Sequence, residues 1–287
     1  MNAKPLFRIA LVLVTLAWLA GCSGLRIAYN NADSVVRWMA DDYFAIEGPQ
    51  EEDFTARLAR FHAWHRSREL PRYSALLMRA GEKLADGLTE QELLWALDAV
   101  KERYRHMMAH AAPDLAAVLC TLSQAQLVHL QDKFDESNAK YFKKYVEGGE
   151  PKQRKQRSKR TLVLMRDWFG DLSDEQEALL SAWNDRMPLL YASRLQNRQR
   201  RQSEFAALLR QYRSAASLEP ELRHWLVDWD IGASTEYRGI SDIHQADYIR
   251  MLLELDRSIT LKQRAHAASR LNEYAELFTA LAARGTP

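Results

Sequence analysis

Four helix starts in this chain share one local signature. Leu88-Thr89 is followed by Glu92, Leu122-Ser123 by Gln126, Leu172-Ser173 by Gln176 and Ile259-Thr260 by Gln263. The spacing predicts capping boxes: the hydroxyl accepts from the amide three residues on, and the Glu or Gln side chain returns to the amide of the cap. The apolar residue before each cap supplies the hydrophobic staple. Such starts are of use only to helices, and the rest of the sequence agrees. Leucine occurs 40 times against 18 for valine and isoleucine together, and no alternating β-branched run appears. That balance suits helices better than strands. Residues 90–110 carry Leu93, Leu97, Val100, Tyr104 and Met107 at steps of four and three. Residues 124–146 carry Leu127, Leu130, Phe134, Tyr141 and Tyr145, and residues 261–282 carry Ala265, Ala268, Ala275, Phe278 and Ala282. Charged residues lie between these positions, so each helix has one face to bury. The expected fold is all-α, a multi-helix bundle of long amphipathic helices.

The chain opens on Lys4 and Arg8, an apolar segment from Ile9 to Leu19 broken only by Thr15, and then Leu19-Ala20-Gly21-Cys22. This order is that of a secretory signal peptide. The apolar run is too short for a membrane span, which needs about 20 apolar residues. Leu-Ala-Gly-Cys resembles the lipobox of bacterial lipoproteins. The resemblance implies cleavage before Cys22, a diacylglycerol on its thiol and an acyl chain on its new amine. Several acyl chains hold a protein firmly, where one binds reversibly. Ser23 follows the cysteine in place of an aspartate, which resembles the outer-membrane class. The expectation is an outer-membrane lipoprotein facing the periplasm.

Cleavage after residue 21 removes two basic residues and no acidic one. The mature chain then has 38 of each, so bulk charge points to no anionic partner. With Cys22 acylated, Cys120 has no internal partner. Its setting, Leu119-Cys120-Thr121-Leu122, reads as a core position.

The organisation expected is a signal peptide at 1–21, an N-terminal helical half at 22–147, a basic junction at 148–160 and a C-terminal half at 161–287. Gly148-Gly149-Glu150-Pro151 marks the break. Lys152, Arg154, Lys155, Arg157, Lys159 and Arg160 follow, six bases among nine residues with no acid. Basic residues oppose the dipole at a helix start, so this stretch is expected to be an exposed, locally mobile junction. The halves suggest a duplication: a long helix with Pro71 inside it answers one from Ser173 with Pro188 inside it. The offsets differ, 128 residues from Thr89 to Ser217 and 137 from Ser123 to Thr260, so the repeat stays a hypothesis.

Signals for chemistry are few. His106 and His110, and His62 and His65, could share a helix face, but neither pair has a third ligand at a motif spacing. One Glu-x-x-His, Glu221 to His224, falls short of the two that a di-iron bundle uses. No nucleophile elbow or phosphate loop is present. Asp41 and Asp42 point about 100° apart on a helix and would not share a site. The six bases at 152–160, and Arg194, Arg198, Arg200 and Arg201, could meet an anionic surface at about 1 kcal/mol per residue. Seven tryptophans remain after cleavage, with Trp225 and Trp229 one turn apart. Packing between long helices accounts for most of them.

Tyr29-Asn30-Asn31, Trp38-x-x-Asp41-Asp42-Tyr43, Trp64-His65-Arg66 and Leu70-Pro71-Arg72-Tyr73 resemble an uncharacterised proteobacterial lipoprotein family, defined only as a domain of unknown function. The resemblance implies a helical envelope lipoprotein and brings no catalytic residues. Leu122-Ser123-x-x-Gln126 and Leu172-Ser173-x-x-Gln176 also resemble the Leu-Thr-x-x-Gln motifs of small periplasmic stress chaperones, which suggests a mode of action. The expected function is non-enzymatic binding of another envelope protein as scaffold, adaptor or chaperone. The alternative is binding of anionic lipid or lipopolysaccharide through the basic helices. A metal-dependent enzyme is a third class. No cofactor beyond the lipid on Cys22 and no nucleic-acid partner are expected.

Overall fold

The computed structural model describes residues 22–228 and 231–283. The expected signal peptide at 1–21 and Trp229 lie outside the described residues. The fold is all-α, a multi-helix bundle, with no strand among the described residues. The helices are α1 (Cys22–Asn30), α2 (Ala32–Phe44), α3 (Pro49–Trp64), α4 (Leu70–Ala85), α5 (Glu90–Leu119) and α6 (Gln124–Tyr141). They continue with α7 (Gly149–Phe169), α8 (Asp174–Arg186), α9 (Tyr191–Gln211), α10 (Ala215–Val227), α11 (Thr235–Ser258) and α12 (Leu261–Ala283). None among the described residues is long and apolar enough to cross a membrane.

All four capping boxes form. Thr89, Ser123 and Ser173 each accept from the amide three residues on, and the Glu or Gln answers. At Thr260 the two bonds measure 3.2 and 2.8 Å. Two boxes do more than cap. The Gln176 and Gln263 side chains are buried and exchange amide hydrogen bonds of 3.0 and 2.8 Å. Gln176 also donates to the Ser258 carbonyl, and Gln263 to that of Asp171. Each glutamine thus ties its own helix start to the loop before the other. Ser173→Ala should cost about 1 kcal/mol, the usual value of a cap hydroxyl, read as a drop in the chemical denaturation midpoint at constant slope.

The chain divides into two compact units at points other than the expected halves. Of the described residues, one contains 22–78 and 271–283, the other 79–228 and 231–270. In the first, Leu70, Leu277 and Leu281 form the core, with Leu25, Tyr29, Tyr73 and Phe278 packed on it. The Tyr29 hydroxyl shares a 2.9 Å hydrogen bond with His65 Nδ1, and Arg66 lies over the Tyr29 ring and donates to Asn30 Oδ1 at 3.2 Å. The motif residues Tyr29, Asn30, His65, Arg66 and Tyr73 are therefore packing partners here. Residues His65–Glu69 form a π turn in which the Leu70 amide reaches the His65 carbonyl. Pro71 supplies the cause, because its ring would clash with the carbonyl four residues back and has no N–H to give it.

In the second unit α5 packs on α10, α6 on α9, and α7 and α11 on α8. Met165, Leu180, Trp183, Met187, Met251 and Leu255 form the core where α7, α8 and α11 meet. Cys120 is half-buried, the cap residue just past α5, with its thiol donating to the Ala117 carbonyl at 3.3 Å. The buried positions around it are Val118, Leu119 and Leu122.

Pro188 does not sit inside a long helix. The chain leaves α8 after Arg186 and restarts at Tyr191. A continuous helix would drive the proline ring into the carbonyl of Asn184. The break strands the last carbonyls of α8, and their partners lie at the centre of the candidate site.

Candidate functional site

Arg154 and Arg157 take up those carbonyls. Arg157 donates to Asn184 Oδ1 at 2.8 Å, to the Pro188 carbonyl at 2.8 Å, to that of Met187 at 2.9 Å and to that of Asn184. Arg154 donates to the carbonyls of Asn184, Asp185 and Met187 at 3.0, 2.6 and 3.2 Å. A helix C-terminus carries partial negative charge, so guanidiniums are at home there. The basic run is thus helical, and two of its bases are bonded to the end of α8. The break falls at Gly148 and Gly149, whose φ of +92° and +71° suit glycine alone.

The six bases do not act as one patch. Lys152, Lys155 and Lys159 stand exposed on the solvent side of α7. Arg157 and Arg160 turn the other way, with Thr161 and Leu164 at helical spacing, into a cleft of about 620 Å³. That volume falls within the range of small-molecule sites. Arg194 and Arg198 enter from α9, on the same face as Tyr191. His244, Tyr248 and Met251 enter from α11 at steps of four and three. Tyr141 and Tyr145 come from the end of α6 and the π turn Phe142–Val146 that follows. The second basic run is split as well. Arg200 turns away to Glu204, and Arg201 lies over the Trp225 ring and donates to its carbonyl.

The cleft has a wall of guanidinium and phenol and an apolar floor. Leu164, Leu180, Met187, Leu190 and Met251 line it, and Leu180, Met187 and Met251 belong to the core beneath. Among the described residues no carboxylate lines it, and none of the four arginines has an ion pair. Arg198 is held by neutral partners, Asn138 Oδ1 at 3.0 Å and Ser137 Oγ at 2.6 Å. Arg160 donates to the Tyr191 hydroxyl and lies over the Tyr145 and Tyr191 rings, which stack 8° from parallel. The Arg194 guanidinium is exposed and has no hydrogen bond among the described residues.

This charge marks the titrating groups. Burial, then Arg194 and Arg157, hold His244 below the usual imidazole value against a weaker opposing pull from Asp247. Burial also raises Tyr141 and Tyr248. His244 is therefore neutral near pH 7, and the cleft's positive charge is that of its arginines.

Sequence reasoning missed His244, Tyr191 and Tyr248. Their signal is register: His244, Tyr248 and Met251 share one face of α11, and Tyr191, Arg194 and Arg198 one face of α9. No group of three or more His, Cys, Asp or Glu suited to a metal ion occurs among the described residues.

No curated protein and no solved structure gives a significant match to the chain. A family model does, the family of unknown function DUF6279, over residues 42–238. That span takes in every residue of the cleft except His244, Tyr248 and Met251. It covers more than half of the sequence, and the chain belongs to this family of unknown function.

Proposed function

We propose that the chain is a non-enzymatic, lipid-anchored protein of the bacterial outer membrane that binds an anionic lipid, phospholipid or lipopolysaccharide, in the cleft of its second unit. The head group sits among Arg160, Arg194 and Arg198, and the start of an acyl chain lies on the apolar floor. Arg157 gives four of its five N–H groups to Asn184, Met187 and Pro188, so it chiefly positions the wall and adds field. One observation carries the reading: four guanidiniums converge over leucine and methionine with no carboxylate among them. Like charges so gathered repel one another, and an anion relieves that repulsion. The apolar floor favours an amphiphile over a bare ion.

Short-chain lipids that stay monomeric test this without the anchor interfering. Dihexanoyl phosphatidylglycerol should bind the full chain with 1:1 stoichiometry by calorimetry. Inorganic phosphate, lacking the chains, and dihexanoyl phosphatidylcholine, lacking the net charge, should each bind at least tenfold more weakly, a difference of about 1.4 kcal/mol. Equal affinity for the two lipids would refute the head-group assignment.

The anchor is tested separately. Cys22→Ala should block acylation and leave an uncleaved precursor, seen as a larger species whose N-terminal peptide carries no lipid mass. Normal processing of that variant would remove the lipoprotein reading.

A further inference from the structure

The first unit presents an apolar face that its own core leaves uncovered. Ile27 of α1 is 60% exposed, and Val35, Trp38 and Met39 of α2 are 52, 53 and 48% exposed, with Val36 beside them at 40%. Of the 13 residues of α2, only Ala40 is buried. Val35, Trp38 and Met39 share one side of the helix by their steps of three and four, with Val36 at its margin. Arg37 points to the other side, where it meets Asp33 at 3.6 Å. Asp42 lies on the same side as Trp38 and Met39, four and three residues on, so the apolar stretch ends before the last turn of α2. Tryptophan and aliphatic side chains on one side of a short helix suit the boundary between head groups and acyl chains.

Position along the chain selects the occupant. Cys22 is the first residue of α1, and Trp38 follows it by 16 residues, about 24 Å of helical rise at most. An acyl chain on Cys22 enters the bilayer itself, so it holds this face within reach of the lipid surface. We infer that Ile27, Val35, Trp38 and Met39 of α1 and α2 lie in the interfacial layer of the membrane that anchors the protein. The inference rests on the Cys22 anchor of the proposed function and is independent of the arginine cleft. It converts the anchor from a tether into a seat, because a face buried beside the acylated residue restricts how the first unit can turn. Tryptophan is favoured at this depth because its ring is apolar and its N–H finds a partner among the head groups.

The full chain in phosphatidylcholine vesicles with bromine on the upper acyl carbons provides the test. Bromine quenches only tryptophan that reaches the acyl boundary. The wild-type protein should show a quenched component, Trp38→Phe should lose it, and Val35→Asp with Met39→Asp should lose it while the protein stays vesicle-bound. Quenching that persists in Trp38→Phe, or none in wild type bound through its lipid, overturns the inference. So does crosslinking of position 38 to an envelope protein in place of lipid. The mass of the N-terminal peptide reads acylation on its own: an unmodified Cys22 defeats the anchor, whereas unquenched Trp38 on an acylated chain defeats only the seat.

Discussion

Arg157→Ala should be among the most destabilising single changes in the second unit, at about 2–4 kcal/mol. Hydrogen bonds from a charged donor contribute about 1.5–3 kcal/mol each, and the cost is greater when acceptors are left unpaired. Arg157 serves the carbonyls of Asn184, Met187 and Pro188 together with the Asn184 side chain. These are the groups that Pro188 leaves without helical partners. Arg157 is only half-buried, so water recovers part of the loss and the bonds do not add in full. For a unit of this size the melting point should fall by roughly 4–16 °C, at 2–4 °C per kcal/mol. Arg157→Lys should retain less than half of the stabilisation, because one ammonium cannot reproduce the planar fork. A melting point unchanged in Arg157→Ala would mean that the break at residues 187–190 holds itself without the clamp.

Arg194→Glu should do the opposite, sparing stability and removing ligand. Its guanidinium is exposed and has no hydrogen bond or ion pair among the described residues, so no folded-state bond is lost. A cation beside an anionic head group contributes about 1 kcal/mol, and reversal counts twice. Affinity for dihexanoyl phosphatidylglycerol should therefore fall roughly thirtyfold, since 1.4 kcal/mol is tenfold. His244 adds a pH dependence whose sign is fixed. Burial and the neighbouring Arg194 and Arg157 lower its pKa in the free protein, with Asp247 opposing. An anion in the cleft offsets those arginines and raises that pKa, so binding takes up a proton. Affinity should rise as pH falls from 7 towards 5, with a ligand whose own charge is constant there. Unliganded stability should move the other way. Below the unfolded histidine value the unfolded chain binds more protons than the folded one, so stability declines with acidification. His62 and His65 are also lowered, chiefly by burial, and add to that decline. His244→Gln should abolish the proton uptake measured by titration in two buffers, and leave the acid sensitivity due to the other two.

The helical class could be read from the sequence because its signals are local. Each of Thr89, Ser123, Ser173 and Thr260 finds its partner three residues away, whatever the rest of the chain does. What Gln176 and Gln263 do for each other could not be read, since 87 residues separate them. In the two stretches that resemble a chaperone motif, the glutamines, Gln126 and Gln176, are buried. The basic stretches were visible as composition, yet composition cannot distinguish faces. Helical register sends Lys152, Lys155 and Lys159 to water and Arg157 and Arg160 to the cleft. Arg198 was visible too, but its neutral partners Ser137 and Asn138 lie 61 and 60 residues earlier. A helix running through Pro188 is what the suspected repeat implies, by matching it to Pro71. The clamp that makes a break there tolerable comes from another helix.

Hydrogen–deuterium exchange of the full chain, with and without saturating dihexanoyl phosphatidylglycerol, is the most direct test of the cleft as the binding site. Binding in the cleft should add protection in three separated stretches, 141–161, 187–198 and 244–251, and Arg194→Glu should show none at the same lipid concentration. Protection concentrated elsewhere in the chain, or persisting unchanged in Arg194→Glu, would contradict it.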